Sequence, residues 1–122
     1  MGGKVARRTD KNIGVSWFEI PMRLRQMLGD VRAQIEDQAY SPVEIAARYH
    51  HRLVAINVFP NGNGRHARLM ADLLLTELAG RRFEWGRGSL VAANELRARY
   101  IAALQAADAG DCQPLLAFLE NA

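Results

Sequence analysis

The stretch Asn57-Val58-Phe59-Pro60-Asn61-Gly62-Asn63-Gly64-Arg65-His66-Ala67-Arg68 decides how this chain is read. Upstream of it, Ala46, Tyr49, His50 and Leu53 recur at helical spacing; downstream, Leu69, Met70, Leu73, Leu74 and Leu78 do the same. Turn formers dominate from Asn57 to Gly64, so the stretch is a loop that opens the second of two helices. A helix start presents unpaired backbone N–H groups and the positive end of the dipole. Gly62 and Gly64 carry no side chain, which lets the backbone wrap closely around an anion. Arg65 and Arg68, three positions apart, share one helix face and can reach the same polyphosphate with charge-assisted hydrogen bonds. The plainer alternative is a glycine-rich connector followed by two solvated arginines, and spacing alone does not decide between the two.

Working outward, the rest of the chain also reads as helices. Pro21 suits a first turn, and Leu24, Met27, Leu28, Val31 and Ile35 behind it predict a helix over about 21 to 38. Ser41, Pro42 and Glu44 form a second start signal, a capping serine with a proline at the first helical position, for a helix ending near Ile56. After the loop, the leucine stripe is expected to face inward as far as Gly80, a fitting C-terminal cap. Arg81 to Gly88 reads as a loop whose arginines are solvated and whose Phe83 and Trp85 pack inward. Ser89 can cap a helix carrying Leu96, Tyr100, Ile101 and Leu104, with Arg97 and Arg99 on its wet face. Gly110 ends that helix, and Asp111 caps a last short one that buries Leu115, Leu116, Phe118 and Leu119.

The N-terminus is different. Residues 1–12 read as a polar, basic arm with Lys4, Arg7, Arg8 and Lys11; residues 13–18 are apolar and rich in strand formers, which fits a strand or short hairpin, the plainer alternative being a loop whose Trp17 and Phe18 plug the core. A helical domain of this size ordinarily begins with a helix, so N-terminal helices are expected from a missing segment or a partner. One domain over residues 13–122, behind the arm, accounts for the whole pattern.

Composition narrows the classes. The 122 residues are 49% hydrophobic and 24% charged, the balance of a folded domain. The formal net charge of +3 suits an anionic ligand, but the arginines are scattered and aromatics make up only 7%, which argues against a nucleic-acid binder. The single cysteine, Cys112, builds neither a disulfide framework nor a thiolate zinc site. No apolar run approaches the ~20 residues needed to span a bilayer, and the first residues do not read as a signal peptide. A cytoplasmic location follows as the expectation.

The loop resembles the signature of the Fic family, which reads His-Pro-Phe, two residues, Gly-Asn-Gly-Arg, two residues, Arg. Phe59, Gly62, Asn63, Gly64, Arg65 and Arg68 match it in place. The stretch from Tyr49 to Ile56 resembles the helix that leads into such a loop, and Tyr100 to Leu104 with Ala107, Gly110 and Asp111 resembles the helices that close the fold. The likeness covers most of the chain and is nearest in flavour to the branch called mobile mystery protein B, found with mobile elements. It implies an all-α fold, a compact Fic-like helical bundle with a small N-terminal β-hairpin flap whose Ile13, Gly14 and Val15 would hold target peptides. It also implies a nucleotide, ATP in most members, at the helix start, with Mg2+, and transfer of AMP to a protein hydroxyl. In that scheme Gly62, Asn63, Gly64, Arg65 and Arg68 bind phosphates.

Three positions depart from the pattern. Asn57 stands where the family has the histidine that takes the hydroxyl proton, and an amide has no useful basicity near neutral pH. Loss of a general base costs typically ~10²–10⁴-fold. Asn61 stands where the family has a carboxylate for magnesium, leaving an amide oxygen where a hard cation favours an anion. Val58 replaces the proline. His66 is expected to point past the phosphates, His50 to be a satisfied core histidine, and His51 to be a surface or capping residue. The helix with Ser or Thr, three residues, then Glu, with which many members block the nucleotide, has no counterpart at Ser16 or Ser89. Three functions stay open: a degenerate domain that binds a nucleotide without efficient transfer, an AMP- or phosphotransferase that still works by positioning alone, and a partner-binding module of a toxin–antitoxin-like pair whose flap adds a strand to a protein partner.

Overall fold

A computed structural model of the chain describes residues 19–56, 63–87 and 91–120. Five helices follow one another there: α1 (Ile20–Glu36), α2 (Pro42–Ile56), α3 (Asn63–Ala79), α4 (Ala93–Asp108) and α5 (Gln113–Glu120). No strand occurs among the described residues. The expected arm and the hairpin flap with Ile13, Gly14 and Val15 lie outside them.

The start and stop signals act as the local chemistry dictates. The Ser41 hydroxyl accepts the Glu44 N–H at 3.2 Å, and Pro42 is the first residue of α2. The Glu44 carboxylate turns forward to Arg48 instead of back to the cap. Gly80, at φ +74°, closes α3, and its N–H reaches the Thr76 carbonyl at 2.9 Å. Asp111 accepts the Gln113 N–H at 3.1 Å and so starts α5. The expected start of α4 at Ser89 is corrected: the helix begins at Ala93, and the capping position is Ala92, which offers no side-chain acceptor; Ser89 itself lies outside the described residues.

α2 is the central element. Seven of its fifteen residues are buried, and it packs most extensively on α3. On one side, Tyr49, Leu53 and Ile56 join Ile20, Met27 and Ala67 in a cluster between α1, α2 and α3. On the other, Ala46 and Ala47 meet Ala71, Leu75, Phe83, Ala103, Ala107, Leu115 and Leu119 in a cluster that binds α2 to α3, α4 and α5.

The inward face of α3 is only partly the leucine stripe: Met70 and Leu74 pack against the two core clusters. Ala67, Ala71 and Leu75 are fully buried, whereas Leu69 and Leu73 are half exposed. Small alanines suit close packing of α3 on α2, and of the leucines flanking them Leu69 and Leu73 are turned outward. Leu28 and Ile35 of α1 are likewise turned outward, while Met27 takes the buried position.

Candidate functional site

The first two turns of α3 carry every phosphate-cradle residue that the structure describes. Asn63 opens the helix, and Gly64 and Arg65 follow on its exposed first turn. A side chain at Gly64 would meet nothing within 4 Å, and no left-handed φ demands glycine there. Nothing among the described residues therefore requires a bare backbone at this point. Asn57, Asn61 and Gly62 lie outside the described residues.

Arg65 and Arg68 share the exposed face of α3, and Arg68 is held by neighbours. Its guanidinium carbon lies over two rings, 5.2 Å from the centre of Tyr100 and 5.6 Å from that of Trp85. Such contacts contribute about 0.5–1 kcal/mol where solvent reaches them. Their larger effect here is to restrict a long, flexible side chain to one direction.

Both rings are themselves fixed. Trp85 adopts a left-handed backbone, φ +55°, which costs a bulky residue of order 1–3 kcal/mol unless surroundings over-determine it. They do. Asp72, one turn beyond Arg68 on α3, accepts the indole N–H at 3.0 Å and the Phe83 N–H at 3.0 Å. The Leu119 carbonyl receives the Glu84 and Trp85 N–H groups at 2.9 and 3.3 Å, and Phe83 is fully buried. Gly86, at φ +73°, then lets the chain pass Leu96 and Phe118, where a Cβ would come within 2.8 and 3.2 Å.

Tyr100 is fixed from α2. The fully buried His50 places Nε2 2.6 Å from its hydroxyl, and the His50 ring packs edge-on against Trp85 at 4.9 Å. Burial pushes the His50 pKa down to about 4, and the Arg68 charge acts in the same direction. The ring is therefore neutral at ordinary pH. Burial pushes the Tyr100 phenol up, opposed by Arg68 and then Arg97.

A cavity of about 180 Å³ opens beside this assembly, lined by Arg68, Trp85, Leu96, Arg97, Tyr100 and Phe118. Helical spacing had put Arg97 on a solvated face; it is exposed, and it also lines this cavity. Tyr100 and Trp85 read as packing residues, and no local motif joins them to Arg68. His50 is a core residue, as its apolar face suggests, but only partly satisfied: Nε2 is bonded to Tyr100 and Nδ1 has no hydrogen-bond partner among the described residues. His51 pairs with Asp108 at 2.7 Å. Arg81 pairs with Glu120 and Arg87 bonds to the Glu84 and Phe83 carbonyls, leaving the loop arginines as its outer fastening. Among the described residues, no group of three His, Cys, Asp or Glu side chains is placed to hold a metal ion.

Residues 2–75, which span α1, α2, the loop and most of α3, match the profile of the Fic/DOC family. The chain belongs to the Fic/DOC family. This Fic chain is 31% identical over 120 residues to protein adenylyltransferase fic-1 of Caenorhabditis briggsae, covering 96% of itself and 22% of that relative. It is 34% identical over 82 residues to protein adenylyltransferase Fic of Aedes aegypti, covering 67% of itself and 15% of the relative. A solved structure of Caenorhabditis elegans Fic-1, residues 134–508, matches with a TM-score of 0.60 at 28% identity, over 94% of this chain and 32% of that one. The chain thus spans about a fifth of the length of the first two curated relatives it matches. It is a Fic domain homologous to protein adenylyltransferases, all-helical over its described residues. None of its described helices is long and apolar enough to cross a membrane.

Proposed function

We propose that this Fic domain binds a nucleoside triphosphate, ATP in the first place, at the start of α3, and that its transfer of AMP to protein hydroxyls is impaired at the proton-accepting step. The observation that carries the reading is the Arg68 guanidinium, held between two fixed aromatic rings at the start of α3 with no carboxylate paired to it among the described residues. A cation oriented and left without an internal anion is suited to an external one. Gly62, Asn63, Gly64 and Arg65 complete the cradle by their place in the motif.

Transfer requires the target oxygen to bond the α-phosphorus as pyrophosphate leaves, and the hydroxyl proton must go to a base. Asn57 occupies that position and cannot take it. At the magnesium position Asn61 offers a neutral amide oxygen where a hard cation favours a carboxylate, so this donor set does not make a magnesium site of the usual strength. The phosphate charge then falls to the arginines. The protein target would meet the flap at Ile13, Gly14 and Val15 by strand addition.

Paired labelling reactions test this. The chain and its Asn57→His variant are each given ATP labelled at the α- or the γ-phosphate, with magnesium and a cell lysate. Label passing from the α-position with Asn57→His alone supports the reading. Transfer by the unaltered chain would show that Asn57 does not disable the site, and the labelled position would name the reaction. No nucleotide binding by either protein would remove the nucleotide reading and leave the partner-binding one.

A further inference from the structure

The cavity beside Arg68 contains a cation that no part of the motif supplies. Arg97 reaches it from α4, twenty-nine positions downstream of Arg68, and lies one turn before Tyr100. Both guanidinium groups act on the Tyr100 phenol from within this cavity, against the upward push of burial. Among the described residues, no carboxylate is paired with Arg97, whereas Arg99 on the same helix is paired with Glu95 at 3.1 Å. Trp85 and Phe118 supply apolar walls, and Tyr100 supplies a hydroxyl.

Size restricts the occupant. At about 180 Å³ the cavity is smaller than the ~300–1,000 Å³ of sites that enclose a whole organic ligand. It has room for an end group. Two cations and a hydroxyl, with no anion on the lining, select a compact polyanion, and the walls lower the local dielectric and so strengthen the attraction.

We propose that Arg97 and Arg68 together form a distal phosphate pocket, which takes the terminal phosphates of the nucleotide and leaves the α-phosphate and base outside. This rests on the nucleotide reading above. It adds a residue from α4 to the cradle and makes affinity depend on the number of phosphates. Where Mg2+ is weakly held, a second arginine on the distal phosphates also replaces part of the missing positive charge.

Calorimetric titration of the whole chain with ATP, AMP and inorganic tripolyphosphate tests the pocket, with Arg97→Gln and Arg99→Gln compared side by side. The two variants lose the same net charge, so long-range attraction cancels between them. Both positions are exposed, and circular dichroism checks that both variants are folded. The expected result is that Arg97→Gln weakens ATP and tripolyphosphate about tenfold or more and leaves AMP unchanged, while Arg99→Gln leaves all three near the unaltered values. Equal ATP affinity in the two variants, or equal weakening of ATP and AMP by Arg97→Gln, overturns the pocket and leaves the nucleotide reading standing. Tripolyphosphate bound through Arg97 without ATP binding keeps the pocket and removes the nucleotide. Binding of neither overturns both.

Discussion

His50 Nε2 lies 2.6 Å from the Tyr100 hydroxyl, a bond that joins α2 to α4 across fifty positions. The Ala67 backbone also acts on the ring, and which of the two groups donates across the Nε2–hydroxyl bond follows from the histidine tautomer. The neutral histidine fixes the Tyr100 hydroxyl from inside the core.

Stability should fall as the solution is acidified through this group. In the unfolded chain the histidine binds a proton near pH 6.5, and in the fold it does so only near pH 4. Between those values the unfolded state holds more protons, so its relative free energy drops as pH falls. The loss accrues from about pH 6.5 down to about pH 4, levels off below, and amounts to up to ~3 kcal/mol. Urea midpoints at a series of pH values measure it. His50→Gln should flatten the slope in that window; an unchanged slope would assign the acid sensitivity to other groups.

Tyr100→Phe keeps the ring that packs on Phe118 at 5.3 Å and removes only the hydroxyl. It strands His50 Nε2 in the core, and unfolding should show a loss of about 1–3 kcal/mol. Arg68 loses one of its directing contacts, so ATP affinity should fall as well. A variant as stable as the unaltered chain would show that the buried bond contributes nothing net.

Gly64→Ala should separate folding from binding. The methyl meets no neighbour among the described residues, and alanine in a helix gains roughly 0.5–1 kcal/mol over glycine. The variant should melt no lower than the unaltered chain while binding ATP more weakly, because the methyl obstructs the approach of a phosphate to the helix start. Full affinity in a folded Gly64→Ala would remove this backbone from the cradle.

Gly86→Ala should have the opposite profile. It combines a left-handed φ of +73° with a Cβ 2.8 Å from Leu96 and 3.2 Å from Phe118. A loss of about 1–3 kcal/mol in chemical unfolding is expected, and Trp85 is displaced with the turn.

Much of the fold is legible in single residues. Ser41 with Pro42, Gly80, Gly110 and Asp111 each mark a helix end, because capping is local chemistry acting on the next few backbone groups. Inward faces are less legible. Leucines are read as core by their bulk, yet Leu69 and Leu73 of α3 are half exposed while the small Ala67 and Ala71 are fully buried. The site divides in the same way. Gly64, Arg65 and Arg68 stand in one motif, and their place at a helix start follows from the turn formers before them. Trp85, Arg97 and Tyr100 belong to other segments, and only the packing of α4 and of the Arg81–Arg87 loop against α3 brings them to Arg68. No periodicity carries that information.

The bond from the Trp85 indole to Asp72 has a practical consequence. The same ring lies beneath Arg68, so its electronic surroundings change whenever an anion joins or leaves that cation. The chain has only two tryptophans, Trp17 and Trp85. With Trp17→Phe, fluorescence emission comes from a single indole at the edge of the cavity, and the domain becomes its own optical gauge of phosphate occupancy.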